Sequence, residues 1–254
     1  MRRAETVLLV GVGALAAFVA IKVAAAPRRS IPARAAVTAP PEAAPHVEVA
    51  ATTVHSTVAP PARDPARIRA TIDETPGTYM PDMLADLKGM LVRWPDRRDA
   101  GLRIWVQSSS TVPDWDTRYA QMARDAFDDW GRDPLPIRFD FVLDSATSDI
   151  RVVWLERFGV EHGMRVGLTR RTSDQFGWLS DAQIDVAIHD STGRAIPPQA
   201  LAGIVRHEAG HALGLGHSRD PRTKMYPTEM SNDISAADRA TLRLLYRLPP
   251  GVVP

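Results

Sequence analysis

Residues 207 to 217 read His-Glu-Ala-Gly-His-Ala-Leu-Gly-Leu-Gly-His, or HEAGHALGLGH. In a helix, four steps of about 100° bring His211 to within about 40° of His207, so both imidazoles leave one face a turn apart and can share a metal ion. Six further steps would carry His217 about 240° round the axis, so the helix has to end before it. Gly214 tolerates the left-handed turn that ends a helix, after which the chain can fold back and deliver a third nitrogen. Three neutral His ligands leave one tetrahedral position for water, the open arrangement of a catalytic zinc rather than the closed one of a structural zinc. Glu208, beside the first ligand, can reach that water without binding the metal. At this chain's own residue frequencies the pattern arises by chance in about one chain in 10⁵. The plainer alternative is two surface histidines on an amphipathic helix followed by a stray third. It leaves Gly210 unexplained, since a glycine inside a helix costs roughly 1 kcal/mol unless something packs closely there.

Working outward, Pro197 and Pro198 open the helix that runs through Leu213, and Ser235 caps a last helix, Ala236 to Tyr246. Leu102, Ile104 and Val106 alternate with polar or large neighbours as a strand, as do Ile137, Phe139 and Phe141. Ile150 to Trp154 and Gln183 to Ile188 give two more strands, and Val166 to Arg170 a short edge strand between them. Asp114 or Asp116 caps a helix whose apolar face carries Tyr119, Met122, Ala123, Ala126, Phe127 and Trp130, and which ends at Gly131 and Pro134. Asp125, Asp128 and Asp129 fall largely off that face and read as solvated.

The N-terminal quarter is of another kind. Arg2 and Arg3 precede an uncharged stretch from Thr6 to Ile21, followed by Lys22 and the small residues Val23 to Ala26. The length suits either a signal-peptide core or, counted through Lys22, a membrane span. Pro27 directly after the small residues disfavours cleavage, and the expectation is an uncleaved anchor over 1–26. Residues 27 to 66 hold eight prolines and eleven alanines, and no aromatic residue occurs between Phe18 and Tyr79. Such a segment buries too little to offset chain ordering, so 27–70 is expected to be a disordered Pro/Ala-rich linker and 71–254 the folded domain. His46 and His55 lie in that linker and are expected to be solvated.

Of 31 Lys and Arg and 30 Asp and Glu, the first 71 residues carry a net charge of +5 and the remainder −4. A nucleic-acid binder with a strongly basic face is therefore excluded. The absence of cysteine rules out disulfides, thiolate metal sites and a thiol nucleophile.

HEAGHALGLGHS followed by Met225-Tyr226-Pro227 resembles the metzincin zinc peptidases, and within them the matrixin branch. The stretches TYMPDML, RWPDR, LRIWVQ and FDDW, with Asp238 and Leu244-Leu245-Tyr246 near the C-terminus, resemble bacterial matrixin-like proteins. The resemblance implies an α+β zincin-like fold, a twisted mixed sheet with three helices, and Met225 as a hydrophobic floor under the His ligands. Matrixins usually add a structural zinc and calcium sites. Here His162-Gly163 matches the start of that segment, but Met164 stands in place of an expected Asp and Ala187 in place of a His. His189, two residues on, is better read as a partly exposed residue at a strand end. One zinc is expected and calcium is not. The cysteine latency device of the family cannot exist in this chain.

The expectation is thus a zinc endopeptidase outside the cytoplasmic membrane: His207, His211 and His217 hold zinc, and Glu208 is the general base. An extended peptide or protein substrate would pair with the edge strand before Gln183. The alternatives are an inactive zinc-containing binding module, against which Glu208 argues, and an interaction protein that works through its stalk.

Overall fold

The computed structural model describes residues 51–54, 62–159, 161, 163–228 and 233–253. Residues 1–26, most of 27–61, and with them His46 and His55, lie outside these, as does His162. Among the described residues no helix is long and apolar enough to cross a membrane.

A six-stranded mixed sheet forms the frame, built from β1 (Ala51–Val54), β3 (Arg97–Val106), β4 (Ile137–Val142), β5 (Ile150–Leu155), β6 (Gly167–Asp174) and β7 (Leu179–Ala187) in the order β1-β6-β7-β5-β3-β4. β3, β4, β5 and β7 run parallel to one another, and β6 returns antiparallel on β7. The alternation seen in the sequence is the alternation of burial: Leu102, Ile104 and Val106 of β3, Ile150, Val152 and Trp154 of β5, and Ala182, Ile184 and Val186 of β7 are buried. A second, two-stranded ribbon pairs β2 (Met90–Leu91) with β8 (Gly251–Val252).

The three anticipated helices are α3 (Arg118–Trp130), α4 (Pro198–Ala212) and α5 (Ala236–Arg247). Ser235 and Asp238 close a capping box at the start of α5. α3 begins after Thr117 with no side-chain cap, while Asp116 Oδ1 accepts the Arg118 N–H at 2.8 Å. Two short helices, α1 (Pro65–Asp73) and α2 (Met80–Asp86), lie between β1 and β2 and were not read from the sequence.

Several boundaries differ from expectation: β3 begins at Arg97 rather than near Leu102, and β7 spans Leu179–Ala187 rather than Gln183 to Ile188. β6 is longer than Val166 to Arg170 and is covered by β1, which pairs parallel to it with Ala51 opposite Arg171 and Val54 opposite Asp174. Ala51–Val54 and the first two thirds of α1 fall inside the segment 27–70 assigned to linker. Adding a strand to an open edge needs only main-chain N–H and C=O groups, so a segment without large apolar side chains can still join a sheet.

α3 packs on α4 and α4 lies on β6 and β7. Trp130, fully buried, donates its Nε1–H to the Arg206 carbonyl at 2.8 Å. Asp129 is not simply solvated: Arg206 on α4 donates to it at 2.8 Å. The sheet and α3 thereby hold α4 between them.

Candidate metal centre

The end of α4 is the element that builds the site. Gly214 takes φ +110°, Leu215 N–H returns to the Gly210 carbonyl at 3.0 Å and Gly214 N–H to the His211 carbonyl at 2.9 Å. That pair of bonds is a Schellman termination. A side chain at Gly214 would be strained at this φ, and its Cβ would lie 2.3 Å from the Val92 carbonyl oxygen. The last carbonyls are buried and each finds a donor. Trp94 Nε1–H donates to Ala212 O at 2.8 Å, Tyr246 O–H to Leu213 O at 3.1 Å, and Arg171 Nη1–H to His211 O at 2.8 Å. Burial lowers the Arg171 pKa to about 10, so it stays charged at neutral pH and complements the negative end of the helix.

Beyond the turn the chain delivers His217. One nitrogen from each of His207, His211 and His217 lies within 4.8 Å of the others, and all three residues are buried. Among the described residues no other group of three His, Asp or Glu converges in this way. The Nδ1–H of His207 donates to Lys224 O at 2.8 Å, that of His211 to Leu215 O at 2.9 Å, and that of His217 to Asp86 Oδ1 at 3.2 Å. An oxygen acceptor at each Nδ1 places the proton there and leaves a lone pair on each Nε2. His207 Nε2 and His211 Nε2 face one another at 3.0 Å, and His217 Nε2 is buried without a hydrogen-bond partner. Lone pairs that converge in this way repel, and a buried acceptor left unmet costs about 1–3 kcal/mol. A cation at the common point satisfies all three, so these residues fit a metal with imidazole ligands. Burial first, and then the neighbouring His207, His217 and Arg171, hold the His211 pKa well below the ordinary value of 6.5, which keeps the ring neutral and able to ligate.

The surrounding contacts fix these rings. Asp238 on α5, fully buried, accepts the Lys224 N–H at 2.7 Å and the Met225 N–H at 3.3 Å. The Lys224 carbonyl receives His207, so the carboxylate holds a ligand through one peptide unit. Glu208 is 1% exposed, and Thr169 Oγ1 on β6 donates to its Oε2 at 2.7 Å. Met225, fully buried, packs its thioether against Gly210: a Cβ there would lie 2.4 Å from Sδ and 2.9 Å from Trp130 Cζ2. The helical glycine that the sequence left without a reason is the point where α3 and the turn carrying Met225 both close on α4.

Of the other candidates, His189 is buried rather than partly exposed, and its Nε2 pairs with Asp114 Oδ2 at 2.9 Å. Met164 is about half exposed, and Ala187 is buried in β7. Asp86, Thr169 and Arg171 were not found from sequence, because their partners lie 131, 39 and 40 residues away. Ser235 marked a helix start in the sequence, but nothing there showed that Asp238 also holds the turn before it.

A mixed sheet backed by a helix bearing HEAGH, with a third histidine delivered after a glycine turn, defines the zincin-like metzincin class. The matrixin family (Peptidase_M10) matches residues 93–247, more than half of the sequence, and the chain belongs to that family of zinc metallopeptidases. It is also similar to a matrilysin from Felis catus, 37% identical over 75 residues. That match spans 28% of this chain and 28% of the matrilysin.

Two outcomes are expected. Gly210→Ala gains helix propensity but overpacks Met225 and Trp130, so the urea midpoint should fall by the equivalent of about 1–3 kcal/mol; an unchanged or raised midpoint would show that this contact is loose. In metal-free protein, a His211 pKa below that of the unfolded chain means the unfolded state binds more protons as pH drops below about 6.5. Stability is then complete above that value and declines on acidification. His211→Gln should flatten the fall in melting temperature between about pH 6.5 and 5, and an identical slope would rule out this contribution.

Proposed function

We propose that the protein is a zinc endopeptidase that acts on extracytoplasmic proteins or peptides, with zinc held by His207, His211 and His217 and with Glu208 as general base. The observation that carries this reading is the convergence of three Nε2 lone pairs beside a buried carboxylate that is not one of the three ligands. Membership of a metallopeptidase family supports it. Bound there, zinc supplies a Lewis acid that polarises a scissile carbonyl and makes a water more acidic.

The chain's own groups do the rest. Glu208 takes a proton from the attacking water and passes it to the leaving amine, so that the nitrogen departs neutral. Thr169 donates to one carboxylate oxygen of Glu208, which limits its rotation. The Nδ1 contacts of the histidines fix the tautomer of all three rings and orient them. Met225 backs the helix at Gly210, directly before the second ligand. An extended substrate adds its main chain to β6 at Gly167 to Arg170, the half nearest Glu208; β1 pairs with the other half, Arg171 to Asp174. Residues 1–26 serve as an uncleaved membrane anchor and place the domain outside the cytoplasmic membrane, a reading supported by the uncharged run and by Pro27.

Glu208→Gln removes the base and none of the nitrogens, so the full chain should keep about one zinc while peptide hydrolysis falls about 10² to 10⁴-fold. His211→Ala breaks the ligand set, and zinc, activity and part of the stability should go together, because a metal bound to the folded state stabilises it. A Glu208→Gln protein with zinc and near-full activity would refute the assigned role. For the anchor, carbonate-washed membranes should retain the protein with its N-terminus intact. A soluble form beginning near residue 26 or 27 would instead show a cleaved signal.

A further inference from the structure

His217 is the ligand with the least help from regular structure. His207 and His211 are held by α4, and their Nδ1–H groups donate to main-chain carbonyls. His217 stands on irregular chain after the glycine turn, where the following Ser218 N–H reaches the Met225 carbonyl at 2.9 Å. Its ring is turned instead by a side chain from α2, which lies before the part of the chain that matches the family. Asp86 grips this residue twice. Oδ1 accepts the ring Nδ1–H at 3.2 Å and Oδ2 accepts the main-chain N–H at 2.9 Å. The approach is close, since a Cβ on the preceding Gly216 would lie 2.9 Å from Asp86 Oδ2 and 3.0 Å from Met83 Cγ. Asp82, one turn earlier on α2, accepts the N–H of Arg219 at 3.1 Å and does not touch the ring.

A carboxylate at Nδ1 does two things that a second loop contact would not. It excludes the tautomer with the proton on Nε2, and it pushes electron density through the ring toward the ligating nitrogen. We propose that Asp86 is a positioning residue of the metal centre, acting through His217, and that α2 is therefore a working part of the site rather than an N-terminal appendage. The proposal rests on the three-histidine zinc centre set out above.

The test uses the purified full chain and zinc itself, with affinity read by competition against a chromophoric chelator. Asp86→Asn keeps shape and size but offers the ring an amide in place of a carboxylate. Zinc affinity should weaken about 10 to 100-fold, and the visible absorption of the cobalt-substituted protein should change, because the third ligand field is altered. The melting temperature of the metal-free protein should stay close to that of the wild type. Asp82→Asn, which loses a contact to the same loop away from the ring, should leave zinc affinity and the cobalt spectrum as they were. Equal affinity and spectra for Asp86→Asn and wild type would overturn the role of Asp86 and leave the centre intact. Equal losses in both variants would reduce Asp86 to a loop tether and overturn the proposal as well. A wild-type chain that takes up no zinc would overturn the centre, and this proposal with it.

Discussion

The buried C-terminal end of α4 is the constraint to which the rest of the structure answers. A helix that ends inside a protein presents carbonyls with no partners of their own, and leaving them unmet costs more than most single contacts return. Here they are met from three directions: by the main chain of the glycine turn, by Arg171 from the sheet, and by Trp94 and Tyr246 from segments far apart in sequence. Because that end is anchored on every side, the turn at Gly214 has one conformation, and His217 arrives in one place. The geometry of the centre is a consequence of how the helix stops.

The same logic couples the centre to the core. Gly210 brings Trp130 of α3 and Met225 against the helix between the two ligands it bears, and Asp238 of α5 holds the turn whose carbonyl orients His207. Sheet, α3 and α5 each contribute one contact that a ligand needs. A packing change in any of them reaches the histidines through a single intermediate group, which is the arrangement that keeps ligand rings within the narrow tolerance metal coordination demands.

The three imidazoles meet where few groups other than a cation would suit them. His207 Nε2 and His211 Nε2 lie 3.0 Å apart, and the nitrogens of all three residues converge in a buried place. A cation that bound there would bind the folded chain far better than the unfolded one, so metal affinity and fold stability would be linked.

How much of this was legible beforehand divides along sequence separation. HEAGHALGLGH marked the three histidines that converge, the helix that carries two of them, its stop at Gly214 and the carboxylate beside the first, because these follow from helical angle and glycine chemistry within eleven residues. Alternation placed the strands, and Ser235 as a cap placed the start of α5, since both signals are local. Sequence also required that something lie close to Gly210, but not what. Only the tertiary structure supplied Met225 Sδ and the Trp130 ring there, together with Arg171 at the helix end, Thr169 on Glu208 and Asp86 on His217. It also placed Ala51–Val54 at the sheet edge, inside a stretch whose composition argued for disorder. A strand added at an edge depends on main-chain hydrogen bonds, and a polar partner from a distant segment depends on where the chain returns. Neither leaves a periodic or spaced mark in the sequence, and so both were decided by the fold.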